Sequence, residues 1–270
     1  MSKTASFKIC MFMVIIISHL ICGTAFSAPL PIAVEDDAAP WSQKDGTGFA
    51  NEVVGAAFKA VGVEVELKVV PYARCKEMAI KGKAAACLSM AWLPEFAGKI
   101  VFAEKPLFTC YADYITGSRK PLMATQEKNI PKGTVVGIVR GFEYPPSVQE
   151  LNKKGIVVFE ESESDELNLK KLVAGRIDTA LIVNVNDMNP VELLLQKAGV
   201  TGQVKRSFRS GINRSFIGFS TKHPQGMAAL EKFNKGYRVI LDNGTRRKIE
   251  RKWRERALKE IANLAGKVAN

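Results

Sequence analysis

An α/β fold of two lobes, each built on a mixed, mainly parallel sheet, is predicted by three observations. Strand-like and helix-like stretches alternate in two successive cycles. The cycles share a local signature, Lys81-Gly82-Lys83-Ala84-Ala85 before one strand and Ala174-Gly175-Arg176-Ile177-Asp178 before another. The chain then closes with one strand and two amphipathic helices, which need an existing sheet to pack on.

In the first cycle, residues 30–34 form an apolar strand, followed by a polar loop holding Asp36, Asp37, Pro40 and Gly46. Val53, Val54, Ala57, Phe58 and Val61 recur at helical spacing, and Gly62 stops that helix. Glu64 to Val70 alternates as a strand, Pro71 breaks it, and Ala73 to Lys81 resumes as a helix ending at Gly82. Ala84 to Met90 is a buried strand. The order β-α-β-α-β implies parallel pairing through crossovers.

In the second cycle, Thr134 to Val139 and Ile156 to Phe159 are strands around a helix at Ser147 to Lys154. Ser164 caps a helix carrying Leu167, Leu169, Leu172 and Val173, and Thr179 to Val183 is the next strand. Asn189-Pro190 opens another helix. Ser215 to Ser220 is the last strand. Pro224 then starts a helix with a stripe of Met227, Leu230, Phe233, Tyr237, Ile240 and Leu241, closed by Asn243-Gly244. Ile249, Trp253, Ala257, Ile261 and Leu264 make a second stripe. The tail is expected to return to the first lobe, with crossings near Ala112 to Gly117 and Ser207 to Gly211.

Ahead of both cycles, Lys3 and Lys8 precede an apolar run from Ile9 to Ile21, interrupted by Ser18 and His19 and followed by Gly23, Thr24, Ala25 and Ser27. This reads as a secretory signal peptide, residues 1–27, cleaved before Ala28. A lipid anchor on Cys22 is the rival, disfavoured because His19-Leu20-Ile21 lacks the small residue such processing prefers. No later run is long enough to cross a bilayer.

The 270 residues carry 39 Lys plus Arg against 27 Asp plus Glu, a net +12 that invites a nucleic-acid reading. Leader cleavage removes two positive and no negative charges, leaving +10. Much of the rest lies in Arg246, Arg247, Lys248, Arg251, Lys252, Arg254 and Arg256, the polar side of the final helix. A solvated helix face in an exported protein is the expectation, and no nucleic-acid partner is assigned. Cleavage also leaves only Cys75, Cys87, Cys110 and His223, too few for a zinc cluster, so no metal or cofactor is expected. Export allows one disulfide among the three cysteines, in any of three pairings.

The collinear set Gly48-Phe49-Ala50-Asn51-Glu52, Phe102 to Leu107, Gly137 to Gly141, Gly175 to Ala180, Phe233-Asn234, Asp242 to Thr245 and Ile249 to Trp253 resembles the periplasmic solute-binding proteins of the polar amino-acid class, family 3. The resemblance implies two Rossmann-like lobes of the type II periplasmic-binding-protein kind, joined by two hinge strands. Lobe 1 is placed at 28–114 plus 211–270 and lobe 2 at 115–210. The implied function is trapping a small molecule between the lobes and delivering it to an ABC permease of the inner membrane, as a periplasmic monomer.

Ligands of such sheets collect beyond the carboxyl ends of the strands. The expected binding residues there are Asp37, Trp41, Tyr72, Arg74, Ser89, Trp92, Arg140, Phe142, Glu143, Tyr144 and Asn184. The aromatics offer flat walls, and Arg74 or Arg140 offers a fork for a ligand carboxylate. Two positions depart from the family pattern: Phe96 stands where an arginine normally clamps the α-carboxylate, and Asn184 where an aspartate receives the α-ammonium. A carboxylate-bearing or amino-acid-like solute is expected. Two rivals keep the scaffold: a cyclohexadienyl dehydratase-like enzyme with Glu143 as general acid and Arg74 as anchor, and a periplasmic receptor reporting to a signalling protein.

Overall fold

The computed structural model describes residues 28–184 and 191–268. The first cycle comprises β1 (Leu30–Glu35), a small ribbon of β2 (Asp37–Ala38) and β3 (Ser42–Gln43), α1 (Phe49–Lys59), β4 (Val65–Val70), α2 (Tyr72–Ile80) and β5 (Ala86–Met90). Then come β6 (Ile100–Phe102) and β7 (Phe108–Gly117). The second cycle has β8 (Thr134–Val139), α3 (Pro146–Lys153), β9 (Val157–Ser162), α4 (Asp165–Val173), β10 (Thr179–Asn184) and α5 (Val191–Ala198). The chain ends with β11 (Val204–Ser220), α6 (Gly226–Asp242) and α7 (Thr245–Val268). The expected leader, 1–27, and the helix start at Asn189-Pro190 lie outside the described residues.

Strands follow the order β4-β1-β5-β11-β7-β10-β8-β9, with β6 on β11. β1 pairs parallel with β4 and β5, and β8 pairs parallel with β9 and β10, so each lobe holds a parallel triplet. Between the triplets the pairing is antiparallel: β11 with β5, β6 and β7, and β7 with β10.

β11 is the main correction to the sequence-based elements. Only Ser215 to Ser220 is predicted as a strand, whereas the strand runs from Val204. Its first part pairs with β7 from Val204 to Ser215 and its last part with β5 from Phe216 to Phe219, so one strand serves both lobes. Lys205, Arg206, Arg209 and Arg214 crowd the first part, and a strand at a partly exposed junction carries no clean apolar alternation.

Each lobe is a three-layer stack with apolar clusters on both sides of its sheet. In the first, Ile32, Val34, Phe49, Phe58, Phe219, Phe233, Tyr237 and Trp253 form one cluster, and Tyr72, Cys75, Met90 and Phe96 belong to another. In the second, Tyr114, Tyr144, Val148, Leu181 and Phe208 form one, and Ile115, Leu169, Ile177 and Ile182 the other. α6 and α7 pack on α1, so the tail completes the first layer stack. The contact is close: a Cβ on Gly236 would stand 1.9 Å from the Ala57 carbonyl oxygen, so a side chain there would part the helices.

Local signals behave as their chemistry requires. Ser164 Oγ accepts from the Leu167 amide at 3.3 Å and starts α4. The shared signature places Gly82 at φ 74° and Gly175 at φ 71°, the left-handed conformation that ends α2 and α4 and turns the chain into the next strand. Of the three disulfide pairings, the structure has Cys75–Cys87, tying α2 to β5 with Cα atoms 5.5 Å apart and leaving Cys110 free and buried.

Candidate functional site

A cavity of about 240 Å³ opens at the carboxyl ends of the parallel strands, between the lobes. From lobe 1 and the junction strands it is lined by Glu35, Asp37, Trp41, Tyr72, Ser89, Ala91, Phe108, Cys110, Asn213 and Ser215. Val139, Phe142, Glu143, Ser164, Asp165, Glu166, Val183, Leu194 and Lys197 line it from lobe 2. β1 and β5 end at this place, and the N-terminus of α4 faces it, as expected for an α/β sheet.

Six of the expected residues line the cavity: Asp37, Trp41, Tyr72, Ser89, Phe142 and Glu143. Trp41 stacks on Phe108 with ring centroids 4.4 Å apart and makes a flat wall. Phe142 reaches from lobe 2 to meet the Tyr72 ring edge-on at 5.6 Å. Ser89 has φ 63°, a conformation few non-glycine residues adopt, and its carbonyl accepts from the Tyr72 hydroxyl.

Five expected residues are placed elsewhere. Arg74 is on the exposed side of α2, bonded to Glu77 at 2.7 Å. Arg140 is exposed and pairs with Glu161 on β9 at 3.1 Å. Trp92 is 62 % exposed and lines no part of the cavity. Tyr144 is buried in the lobe 2 core, its hydroxyl accepting from the Val139 amide at 2.8 Å. Asn184 donates to Asp113 at 2.7 Å, completing a buried group in which Arg209 also bonds Asp113 at 2.8 Å. The position read as an altered ammonium receptor is therefore a structural amide at the lobe junction. The arginine fork for a ligand carboxylate is absent from the cavity lining among the described residues.

Glu143 holds the lobes together. Its Oε1 accepts from Lys76 at 2.7 Å, and its Oε2 accepts from the Tyr72 hydroxyl and from the Ala91 amide at 3.3 Å. Lys76 also donates to the Gly141 carbonyl and sits 4.9 Å from the Tyr72 ring centroid. Burial raises the Glu143 pKa, while Lys76 and Tyr72 pull the other way. On the far side of the cavity, Lys197 of α5 pairs with Glu260 of α7 at 2.8 Å, a second tie between lobes.

Sequence reasoning passes over Lys76, Glu35 and Asp165. Glu35 is 7 % exposed, and burial, then the charge of Glu143, pushes its carboxyl well above the usual range. Asp165, at the start of α4, is pushed up to about 7 by burial and by Asp37. Lys76 carries a weak signal in hindsight: it lies one turn beyond Tyr72 on the same helix face.

Comparison with solved structures places this architecture. A histidine kinase sensor domain with similarity to periplasmic binding proteins superposes with a TM-score of 0.71 at 17 % identity, over 84 % of this chain and 96 % of that one. The fold is that of the type II periplasmic binding proteins. An ancestral arginine-binding protein bound to arginine gives 0.69 at 23 % identity, over 84 % of this chain and 98 % of that one. An ancestral amino acid-binding protein, described as a precursor of cyclohexadienyl dehydratase, gives 0.64 at 17 % identity, over 83 % and 94 %. No protein-family profile and no curated protein sequence matches the chain. In the periplasmic-binding-protein frame, the cavity lies in the cleft between lobes, and Glu143 spans that cleft.

Proposed function

We propose that this chain is a periplasmic solute-binding protein of the polar amino-acid class that closes its two lobes over a small molecule and delivers it to an ABC permease. Residues 28–114 and 211–270 form one moving lobe and 115–210 the other, and the leader at 1–27 directs export of a monomer. The observation that carries this reading is a cavity lined from both lobes and flanked by two interlobe ion pairs, Lys76–Glu143 and Lys197–Glu260. A ligand that touches both walls favours the closed state by its differential contacts, which is how such a clamp works. The similarity to amino-acid-binding proteins supports the same reading.

A receptor role is the second reading, favoured by the likeness to a kinase sensor domain. The dehydratase reading has less support, because both Glu143 oxygens are already engaged by Lys76, Tyr72 and Ala91, and Arg74 does not line the cavity. Native mass spectrometry of protein purified from the periplasm of its own host is expected to show a bound small solute, unchanged on incubation. Small-angle scattering is expected to show compaction when that solute is restored to stripped protein. Turnover of prephenate or arogenate, or no compaction with a tightly bound solute, would overturn the proposal.

A further inference from the structure

The charges around the cavity do not balance. Of its carboxylates, Glu143 is neutralised by Lys76 and Glu166 by Lys170 at 2.6 Å. Of its cations, Lys197 is neutralised by Glu260. Three lining carboxyls, Glu35, Asp37 and Asp165, have no hydrogen-bond donor to their side chains and no ion-pair partner among the described residues. Glu35 is only 7 % exposed and Asp165 Oδ1 is shielded from solvent, whereas Asp37 is exposed.

Carboxyls held out of water without a partner are costly to ionise, and proteins retain them where a ligand supplies the partner. Independent of the acids, Ser215 is 3 % exposed, lines the same cavity, and its Oγ has no partner; the shielded Ser89 Oγ has none either. The polar lining is thus unsatisfied at several points of one small space. Opposite it, the stacked Trp41 and Phe108 offer a flat apolar face that also favours a cation. No arginine lines the cavity among the described residues, and both nearby lysines are already paired.

We propose that the cavity takes an organic cation, an amine or guanidinium on an apolar or aromatic body, whose charged group lies against Glu35, Asp37 and Asp165 and which carries no free carboxylate. This inference rests on the solute-binding reading and narrows it: the carboxylate tilt suggested by Arg74 and Arg140 in the sequence gives way to the opposite charge. Charge-assisted hydrogen bonds from the ligand to carboxylates inside a low-dielectric site supply the affinity, and the aromatic wall supplies shape.

Matched pairs of an amino acid and its decarboxylated amine test it: arginine and agmatine, lysine and cadaverine, histidine and histamine, tyrosine and tyramine. Isothermal titration of the ligand-stripped mature chain is expected to show at least one amine binding tenfold or more tightly than its parent. Glu35→Gln and Asp165→Asn are each expected to weaken that amine tenfold or more without lowering Tm, since neither removes a satisfied bond. Equal or tighter binding of the parent in every pair, no amine binding at all, or unchanged amine affinity in both variants would each overturn the inference. A carboxylate-bearing solute recovered by native mass spectrometry would sink it as well, yet leave the solute-binding reading intact. Absence of any solute together with catalytic turnover would sink the solute-binding reading itself.

Discussion

Lys76 Nζ of α2 lies 2.7 Å from Glu143 Oε1, with both side chains largely shielded, and the pair joins the two lobes across the mouth of the cavity. Breaking a shielded pair by removing one partner leaves the other charge uncompensated, an effect of about 3–5 kcal/mol when fully buried. Here the uncompensated charge can return to water if the lobes part. Lys76→Ala or Glu143→Ala is therefore expected to open the unliganded protein, read as a larger radius of gyration in small-angle scattering, with little change in the melting of each lobe. An unchanged radius in both variants would show that the tie does not hold the lobes.

Stability should fall with rising pH in the unliganded protein. Asp165 is raised from 3.8 to about 7, so the folded state binds its proton more tightly than the unfolded chain between those values. Unfolding free energy then decreases as pH rises from about 4 to about 7 and is level for this group above that. Glu35 is shifted in the same direction and adds to the trend. Thermal melts from pH 4 to 8 are expected to show Tm declining across this window, and Asp165→Asn should flatten the profile and raise Tm at pH 8.

Thiol chemistry should separate the cysteines cleanly. Burial pushes the Cys110 thiol up to about 12, so it is neutral and unreactive at ordinary pH. A thiol reagent is expected to label no cysteine in the native mature chain and one after unfolding without reductant. Replacing Cys75 and Cys87 with alanine removes a cross-link spanning 12 residues, which in the chain-entropy description stabilises by roughly 3 kcal/mol. Denaturant titration should show the unfolding free energy lowered by about that amount; labelling of three thiols in the unreduced, unfolded chain would contradict the bridge.

Gly236→Ala tests how tightly α6 packs on α1. The added methyl would meet the Ala57 carbonyl oxygen at 1.9 Å, a backbone atom that cannot turn aside. Overpacking of this kind costs about 1–3 kcal/mol, or roughly 2–12 °C in Tm for a chain of this size. Gly55→Ala, a helical glycine with nothing within 4 Å of its Cβ, serves as the contrast and should leave Tm unchanged or slightly raised. Equal losses in the two variants would argue against the close helix contact.

Much of the basic charge that first suggests nucleic acid is spent on local ties. Lys252 bonds Glu52 at 2.7 Å, Arg246 bonds Glu250 and the Leu107 carbonyl, and Arg256 lies 4.8 Å from the Trp253 ring, whose side chain is buried. The contacts to Glu52 and to the Leu107 carbonyl fasten α7 to the first lobe, the other two lie within the helix, and its outer face remains charged and solvated.

The sequence by itself determined what is encoded over short distances. Apolar periodicity located the helices from Phe49 to Lys59 and from Asp165 to Val173, Ser164 capped the second, and Gly82 and Gly175 closed two of the turns. Aromatic residues in the loops after the strands pointed to the cleft, and Trp41, Tyr72, Phe142 and Glu143 line it. Only the tertiary structure decided pairings between distant residues. It joined Cys75 to Cys87, ran β11 through both lobes, turned Arg74 toward Glu77, engaged Asn184 with Asp113, and gathered Glu35, Asp37 and Asp165 around one space. The physical reason is range: caps, turns and helical faces are set by neighbours within a few residues, whereas the charge of a cavity depends on which side chains the closed fold leaves without partners.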